Sequence, residues 1–177
     1  MDMDPRLVVV DHGREIAFSF DDLMRYHGPG SPGGVAHAFK VLQRALPLLR
    51  PEGPCERREL TVRTAFGGPG ARDGFELVTR AVTEARYVVD PALARPEHGR
   101  ARERFVFVIG YGPRTATLVL REGHVSDEFI DLARMPERSA EQERRLTALK
   151  EDMAARLTAM PADGVYDAAV ATLGSDG

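Results

Sequence analysis

Apolar and polar positions change period repeatedly along this chain, and each change marks an element. Residues 7–10 are a short β-prone run, Asp11-His12-Gly13-Arg14 has the composition of a turn, and Ile16-Ala17-Phe18 returns as a second strand. Ser19 stands three residues before Asp22, a capping-box spacing for a short helix that His27-Gly28-Pro29-Gly30 must stop. From about 34 to 49, the residues Val35, Phe39, Leu42, Leu46 and Leu49 share one stripe, with Lys40 and Arg44 opposite. That spacing predicts an amphipathic helix, its last turn kinked or shortened by Pro47. His37 falls between the polar side and Val41, so it is expected to be partly exposed.

Residues 58–66 alternate and are rich in β-branched side chains, which predicts a strand with Leu60, Val62 and Thr64 on one face. Gly67-Gly68-Pro69-Gly70 then forces a turn into a helix over 71–82 that buries Phe75, Val78 and Val82. Further strands are expected at 85–89, 104–110 and 114–121, the last two joined as a hairpin at Gly110-Tyr111-Gly112-Pro113. Residues 90–99 read as a loop. Ser126 can cap a short helix, and Ser139 with Gln142 a longer one. The stripe of Leu146, Leu149, Met153, Leu157 and Met160 either covers the sheet or forms a dimer contact, and Glu141–Arg145 and Asp152–Arg156 are favourable helical pairs. A weak apolar segment, 165–173, precedes a tail that frays from Gly174. The irregular order of strands and helices favours an α+β fold, a small mixed β-sheet covered by helices, over a doubly wound sheet. No linker divides the 177 residues, so 1–177 reads as one domain with a C-terminal helical extension at about 137–173.

Composition narrows the function classes. A formal charge of -3 argues against nucleic acid as a partner of the whole chain, and the local cluster of Arg100, Arg102 and Arg104 reads as the exposed start of a strand. Cys55 is the only cysteine, which excludes an internal disulfide and any multi-cysteine zinc site; it lies in the turn-like Pro51-Glu52-Gly53-Pro54-Cys55. No apolar run reaches membrane-spanning length, so no membrane partner is expected. The start, Met1-Asp2-Met3-Asp4, lacks the basic residues of a secretory signal, and a cytoplasmic location follows as the default.

Candidate chemistry gathers in two glycine-rich loops. The first is Tyr26-His27-Gly28-Pro29-Gly30-Ser31-Pro32-Gly33-Gly34, which leads into a helix whose free N–H groups can receive an anion. His27 is suited to acid–base chemistry or metal ligation, and Ser31 to capping or oxyanion binding. The loop is neither a P-loop, because the Gly-Lys-Ser/Thr ending is missing, nor a dinucleotide fingerprint. The second loop, Phe66-Gly67-Gly68-Pro69-Gly70-Ala71-Arg72-Asp73-Gly74, also joins a strand to a helix. Asp73 can orient His27 or favour its helix's positive end, and Arg72 can meet an acidic ligand. His12, His98 and His124 each adjoin a glycine in an apparent turn and read as structural or solvated.

At these loops the chain resembles the FmdE family of formylmethanofuran dehydrogenase components. That family carries His-Gly-His-x-Cys-Pro-Gly between a short helix and a longer one. Here the matching residues are His27-Gly28-Pro29-Gly30-Ser31-Pro32-Gly33, with Pro29 in place of the second His and Ser31 in place of the Cys. The family's later Cys is missing from 67–71, while its helix-start Asp matches Asp73. The resemblance spans roughly 18–121. It implies an FwdE-like α+β fold, often dimeric, and metal binding in members with the full pattern. Because the thiolates and one imidazole are replaced, neither a metal nor another cofactor is expected here.

Three functions stay open. One is a small-ligand-binding protein whose pocket uses His27, Gly30, Ser31, Gly33, Gly70, Arg72 and Asp73. Another is an enzyme in which His27 is the general acid or base and Asp73 its orienting partner. The third is a non-catalytic accessory or structural protein acting through a homodimer surface. The first two require the two loops to converge, with His27 beside Asp73.

Overall fold

A computed structural model of the chain describes residues 5–174; the acidic start Met1-Asp2-Met3-Asp4 and the tail beyond Gly174 lie outside the described residues. Leu7–Asp11 (β1) and Arg14–Phe18 (β2) pair antiparallel across His12 and Gly13, whose φ values of 50° and 78° suit a tight hairpin. Ser19 and Asp22 exchange side-chain and backbone hydrogen bonds as a capping box, starting Phe20–His27 (α1). Next come Pro32–Leu49 (α2), Cys55–Glu56 (β3), Leu60–Thr64 (β4), Pro69–Thr79 (α3) and Tyr87–Val89 (β5). Val106–Tyr111 (β6), Arg114–Leu120 (β7), Asp127–Arg134 (α4), Ala140–Ala159 (α5), Ala162–Val165 (α6) and Tyr166–Thr172 (β8) complete the described chain.

The strands of the described residues form two sheets, one ordered β2-β1-β3 and the other β5-β4-β6-β7-β8. In the larger sheet β4 and β5 run parallel, joined through α3, and the other pairs are antiparallel. The fold is therefore α+β, with a mixed sheet covered by helices. In β4 the residues Leu60, Val62 and Thr64 are buried while Thr61 and Arg63 point outward, the period of two that alternation predicts. None of the helices in the described residues is long and apolar enough to cross a membrane.

α2 lies at the centre. It packs on β6, β7 and β8, on α1 and α3, and on α5. Up to Leu42 the helix therefore leaves almost no face to water, and only near its end does Pro47 stand exposed. Two expectations are corrected by this: His37 and Lys40 are each only 1% exposed. Both keep polar partners. Met153 Sδ, 3.2 Å from His37 Nε2, can only accept, so Nε2 carries the proton and Nδ1 accepts from the Tyr166 hydroxyl at 2.6 Å. Burial pushes the His37 pKa down to about 3 and holds the Tyr166 phenol well above its ordinary range. Lys40 Nζ donates to Gln43 Oε1 at 2.9 Å and to the Met160 carbonyl, and burial lowers its pKa. Pro47 does not shorten the helix, which runs on to Leu49. So late in the helix, proline removes one intrahelical N–H without interrupting the body.

Other elements differ from expectation for identifiable reasons. α3 starts at Pro69, because proline suits a first helical turn, and it ends where Arg80 takes φ 61°, leaving Val82 outside. Cys55 is a fully buried strand residue rather than a turn residue, and burial raises its thiol to about 11, so it is a poor nucleophile near neutral pH. Arg145 pairs with Glu128 of α4 at 2.6 Å instead of with Glu141, while Asp152–Arg156 forms at 2.8 Å. Leu146, Met153 and Leu157 are buried, and α5 packs on α2 and α4. The buried part of that stripe therefore packs mainly on α2 and α4 rather than directly on the sheet. The helical part of the C-terminal region ends at Val165, and the weak apolar segment after it is an edge strand paired with β7 along its length.

The buried imidazole sets a pH dependence. A His37 held neutral in the native state leaves stability intact above its ordinary value of 6.5 and loses it progressively as pH falls from there towards about 3, because only the unfolded chain takes up the proton. The slope is about 1.4 kcal/mol per pH unit. Urea unfolding at about pH 7.5 and about pH 5 should show this loss in the wild type and a shallower one in His37→Gln. Parallel slopes in the two proteins would mean that His37 does not stay neutral on folding.

Candidate functional site

The site begins with how three helices meet. α2 and α3 approach at small residues. A Cβ on Gly70 would lie 2.5 Å from the Ser31 carbonyl oxygen and 3.0 Å from the Val35 nitrogen; one on Gly74 would lie 2.8 Å from the Ala38 Cβ. Gly34 is similarly tight against Ala71. These glycines serve helix contact, whereas Gly30 and Gly67 face open space. Gly28, at φ 87°, ends α1 in a conformation that other residues avoid. Ser31 occupies the first position before α2, yet its hydroxyl makes no capping hydrogen bond.

α1 also packs on α3, and this brings the two loops together at their polar residues. His27 Nδ1 lies 2.7 Å from Asp73 Oδ2, with side-chain exposures of 9% and 25%. A carboxylate only accepts, so Nδ1 carries the proton and the Nε2 of the neutral ring presents a lone pair. Nε2 is buried and has no hydrogen-bond partner among the described residues. Arg72 reaches Asp73 Oδ1 at 3.5 Å from an exposed position. The result is an imidazole oriented by a carboxylate, with its basic nitrogen unspent.

The remaining predicted site residues divide. Ser31 and Gly70 line a cleft of about 440 Å³ that His27, Gly30, Gly33, Arg72 and Asp73 do not line. Gly33 instead backs onto Met153. The cleft is walled by the starts of α2 and α3, the segment before β6, α4 and α5. Sequence reasoning overlooked its basic side chains, Arg134 and Arg138 at and beyond the end of α4 and Lys150 on α5. The one available signal was the Arg100–Arg104 cluster, two of whose members, Arg100 and Arg104, reach the cleft.

The other histidines lie elsewhere. His12 meets Asp11 at 2.7 Å, and His98 lies 2.9 Å from an Arg102 guanidinium nitrogen. His124 is buried and donates from Nε2 to the Gly164 carbonyl at 3.0 Å. Among the described residues no three His, Cys, Asp or Glu side chains converge to hold a metal ion. His27 and Asp73 alone are too few for a tetrahedral zinc, and Cys55 is buried in β3. The residues present therefore do not fit the metal of the full FmdE pattern.

Neither a family model nor a curated protein matches this chain.

Two outcomes follow from the local geometry. Gly70→Ala should cost about 1–3 kcal/mol in chemical unfolding, because its methyl group meets backbone, while Gly67→Ala should stay within about 0.5 kcal/mol. Equal costs would contradict the close helix contact. Elemental analysis of protein prepared without chelator should find zinc well below about one per chain, since two donors leave half of a tetrahedral shell to water. A tightly held stoichiometric zinc would overturn the donor count.

Proposed function

We propose that the chain is an enzyme in which His27 acts as general acid or base and Asp73 holds its imidazole in register. The observation that carries this reading is the 2.7 Å Nδ1–carboxylate bond combined with a buried Nε2 that has no partner among the described residues. A buried polar atom without a partner is uncommon, because leaving it unpaired costs roughly 1–3 kcal/mol. The Asp73 carboxylate fixes the tautomer. It also stabilises the imidazolium that forms when Nε2 accepts a proton from a substrate X–H group, and the same nitrogen can return that proton to a leaving group. The cycle is neutral in protons and needs no metal.

The resemblance to the FmdE family belongs to the same proposal. Contact between His27 and Asp73, two of the family positions kept in this chain, supports it, as does a mixed sheet covered by helices. The family's metal chemistry is not part of the reading. Assembly as a homodimer comes with the resemblance, whereas one domain with a C-terminal extension and a cytoplasmic location are proposed from the sequence. Binding of a small ligand without chemistry is the second reading, favoured by the cleft at Ser31 and Gly70.

Nitrogen-15 NMR on histidine-labelled protein tests the dyad, with His27→Gln assigning the signal. The folded protein should show the Nδ1–H tautomer of His27, with an Nε2 that binds a proton reversibly, and Asp73→Asn should lose the fixed tautomer while the chain stays folded. An Nε2–H tautomer in the wild type, or an Nε2 that exchanges no proton until the protein unfolds, would reduce the pair to a structural tie between α1 and α3.

A further inference from the structure

The cleft between the starts of α2 and α3 has a composition unlike the rest of the molecule. Its lining includes five cationic side chains, Arg100, Arg104, Arg134, Arg138 and Lys150, and no carboxylate, in a chain whose formal charge is -3. Three of these cations are neutralised from outside the cleft: Arg100 pairs with Asp131, Arg134 with Glu103 and Arg138 with Glu143. Arg104 is exposed and has no hydrogen bond or ion pair among the described residues, and Lys150 donates only to the Gly30 carbonyl, at 3.2 Å. Two positive charges thus remain uncompensated at one concave surface. A concave lining that carries cations and no carboxylate favours an anion.

The other wall is apolar and aromatic. Phe66 stacks on Phe105 with ring centroids 4.5 Å apart and planes 24° apart, and Phe105 is buried against His37. Phe66 and Phe129 are only half-buried and both line the cleft, beside Ile130 and Leu146. A half-buried ring at a cavity wall offers a stacking face to a planar ligand. The glycine-rich start of α3 adds backbone N–H groups, because neither Gly68 nor Ser31 supplies a side-chain cap to its helix. A volume of about 440 Å³ lies in the range of small-molecule sites.

We propose that this cleft binds a small aromatic anion, a phosphate monoester of a planar ring. Arg104 and Lys150 meet the phosphate, and the ring lies against Phe66 and Phe129. Arginine matches a phosphate with two parallel N–H donors, which favours it over a lone hydrophobic ring or a lone ion. The site stands on its own residues, which exclude His27 and Asp73, so it holds or fails independently of the acid–base reading.

The test uses 1-naphthyl phosphate as the probe, with inorganic phosphate and 1-naphthol as its two halves, measured by titration calorimetry on the full chain. Naphthyl phosphate should bind with a Kd below about 1 mM, at least about tenfold tighter than either half, and more weakly as ionic strength rises. Arg104→Gln should weaken binding at least about fivefold, because it removes the unpaired guanidinium and breaks no hydrogen bond or ion pair among the described residues. Ala133→Phe, at an exposed position on the cleft wall, should fill the space and abolish binding. Both variants should melt with the wild type, which separates lost binding from lost folding. The proposal is overturned if naphthyl phosphate shows no binding, if either half binds as tightly as the whole, or if either folded variant keeps wild-type affinity.

Discussion

The near-complete burial of α2 is the constraint on which the rest of this structure depends. An isolated helix of mixed composition is marginal, and a central one is held by what it packs against. Here the sheet takes one side, α1 and α3 another, and α5 the last. The consequence is chemical as well as geometric. Once His37 and Lys40 are enclosed, every polar atom they bring must find a partner inside, since an unpaired buried group costs more than a formed hydrogen bond returns. Tyr166 and Met153 provide that partnership for His37, and Gln43 and the Met160 carbonyl for Lys40. Those partners tie β8 and both α5 and the residue after it to the helix. The C-terminal region is thus part of the core, because Tyr166 and Met153 complete hydrogen bonds that α2 cannot complete alone.

The same helix sets where the candidate chemistry lies. α3 comes against α2 only because Gly34, Gly70 and Gly74 leave room, and α1 closes on α3 with Leu23 beside Gly74. That packing carries the end of α1 to the first turns of α3, and so His27 to Asp73. The hydrogen bond between them is a product of the helix contacts. The contact leaves Nε2 of His27 buried and without a hydrogen-bond partner among the described residues.

Much of this was legible in local sequence. The capping boxes at Ser19 and Ser139, the alternation at 60–64 and the hairpin closing at Gly112-Pro113 depend on residues a few positions apart, and they appear as expected. The meeting of His27 with Asp73 was legible too, because both belong to glycine-rich joints that open helices. What stayed hidden depends on distant segments. A helical wheel places His37 and Lys40 towards water because it cannot know that α5, far along the chain, covers that side. Tyr-Asp-Ala-Ala-Val-Ala-Thr at 166–172 has too little alternation to announce a strand; β7 makes it one by offering an open edge. The cleft's cations come from the segment before β6, the end of α4 and beyond, and α5, so no single motif contains them.

Two chemically different places therefore share one joint. Gly70 touches Ser31, which lines the cationic cleft, and lies within a turn of Asp73, which faces His27. The contact at Gly70 is backbone against backbone, 2.5 Å from where a Cβ would sit, and such a contact has no flexible side chain to absorb a change. A shift of α3 along α2 moves the cleft wall at Gly68 and Gly70 together with the Asp73 carboxylate. The Asp73 carboxylate and the cleft wall at Gly70 are thus carried by one helix turn, whereas the His27 imidazole is held from α1.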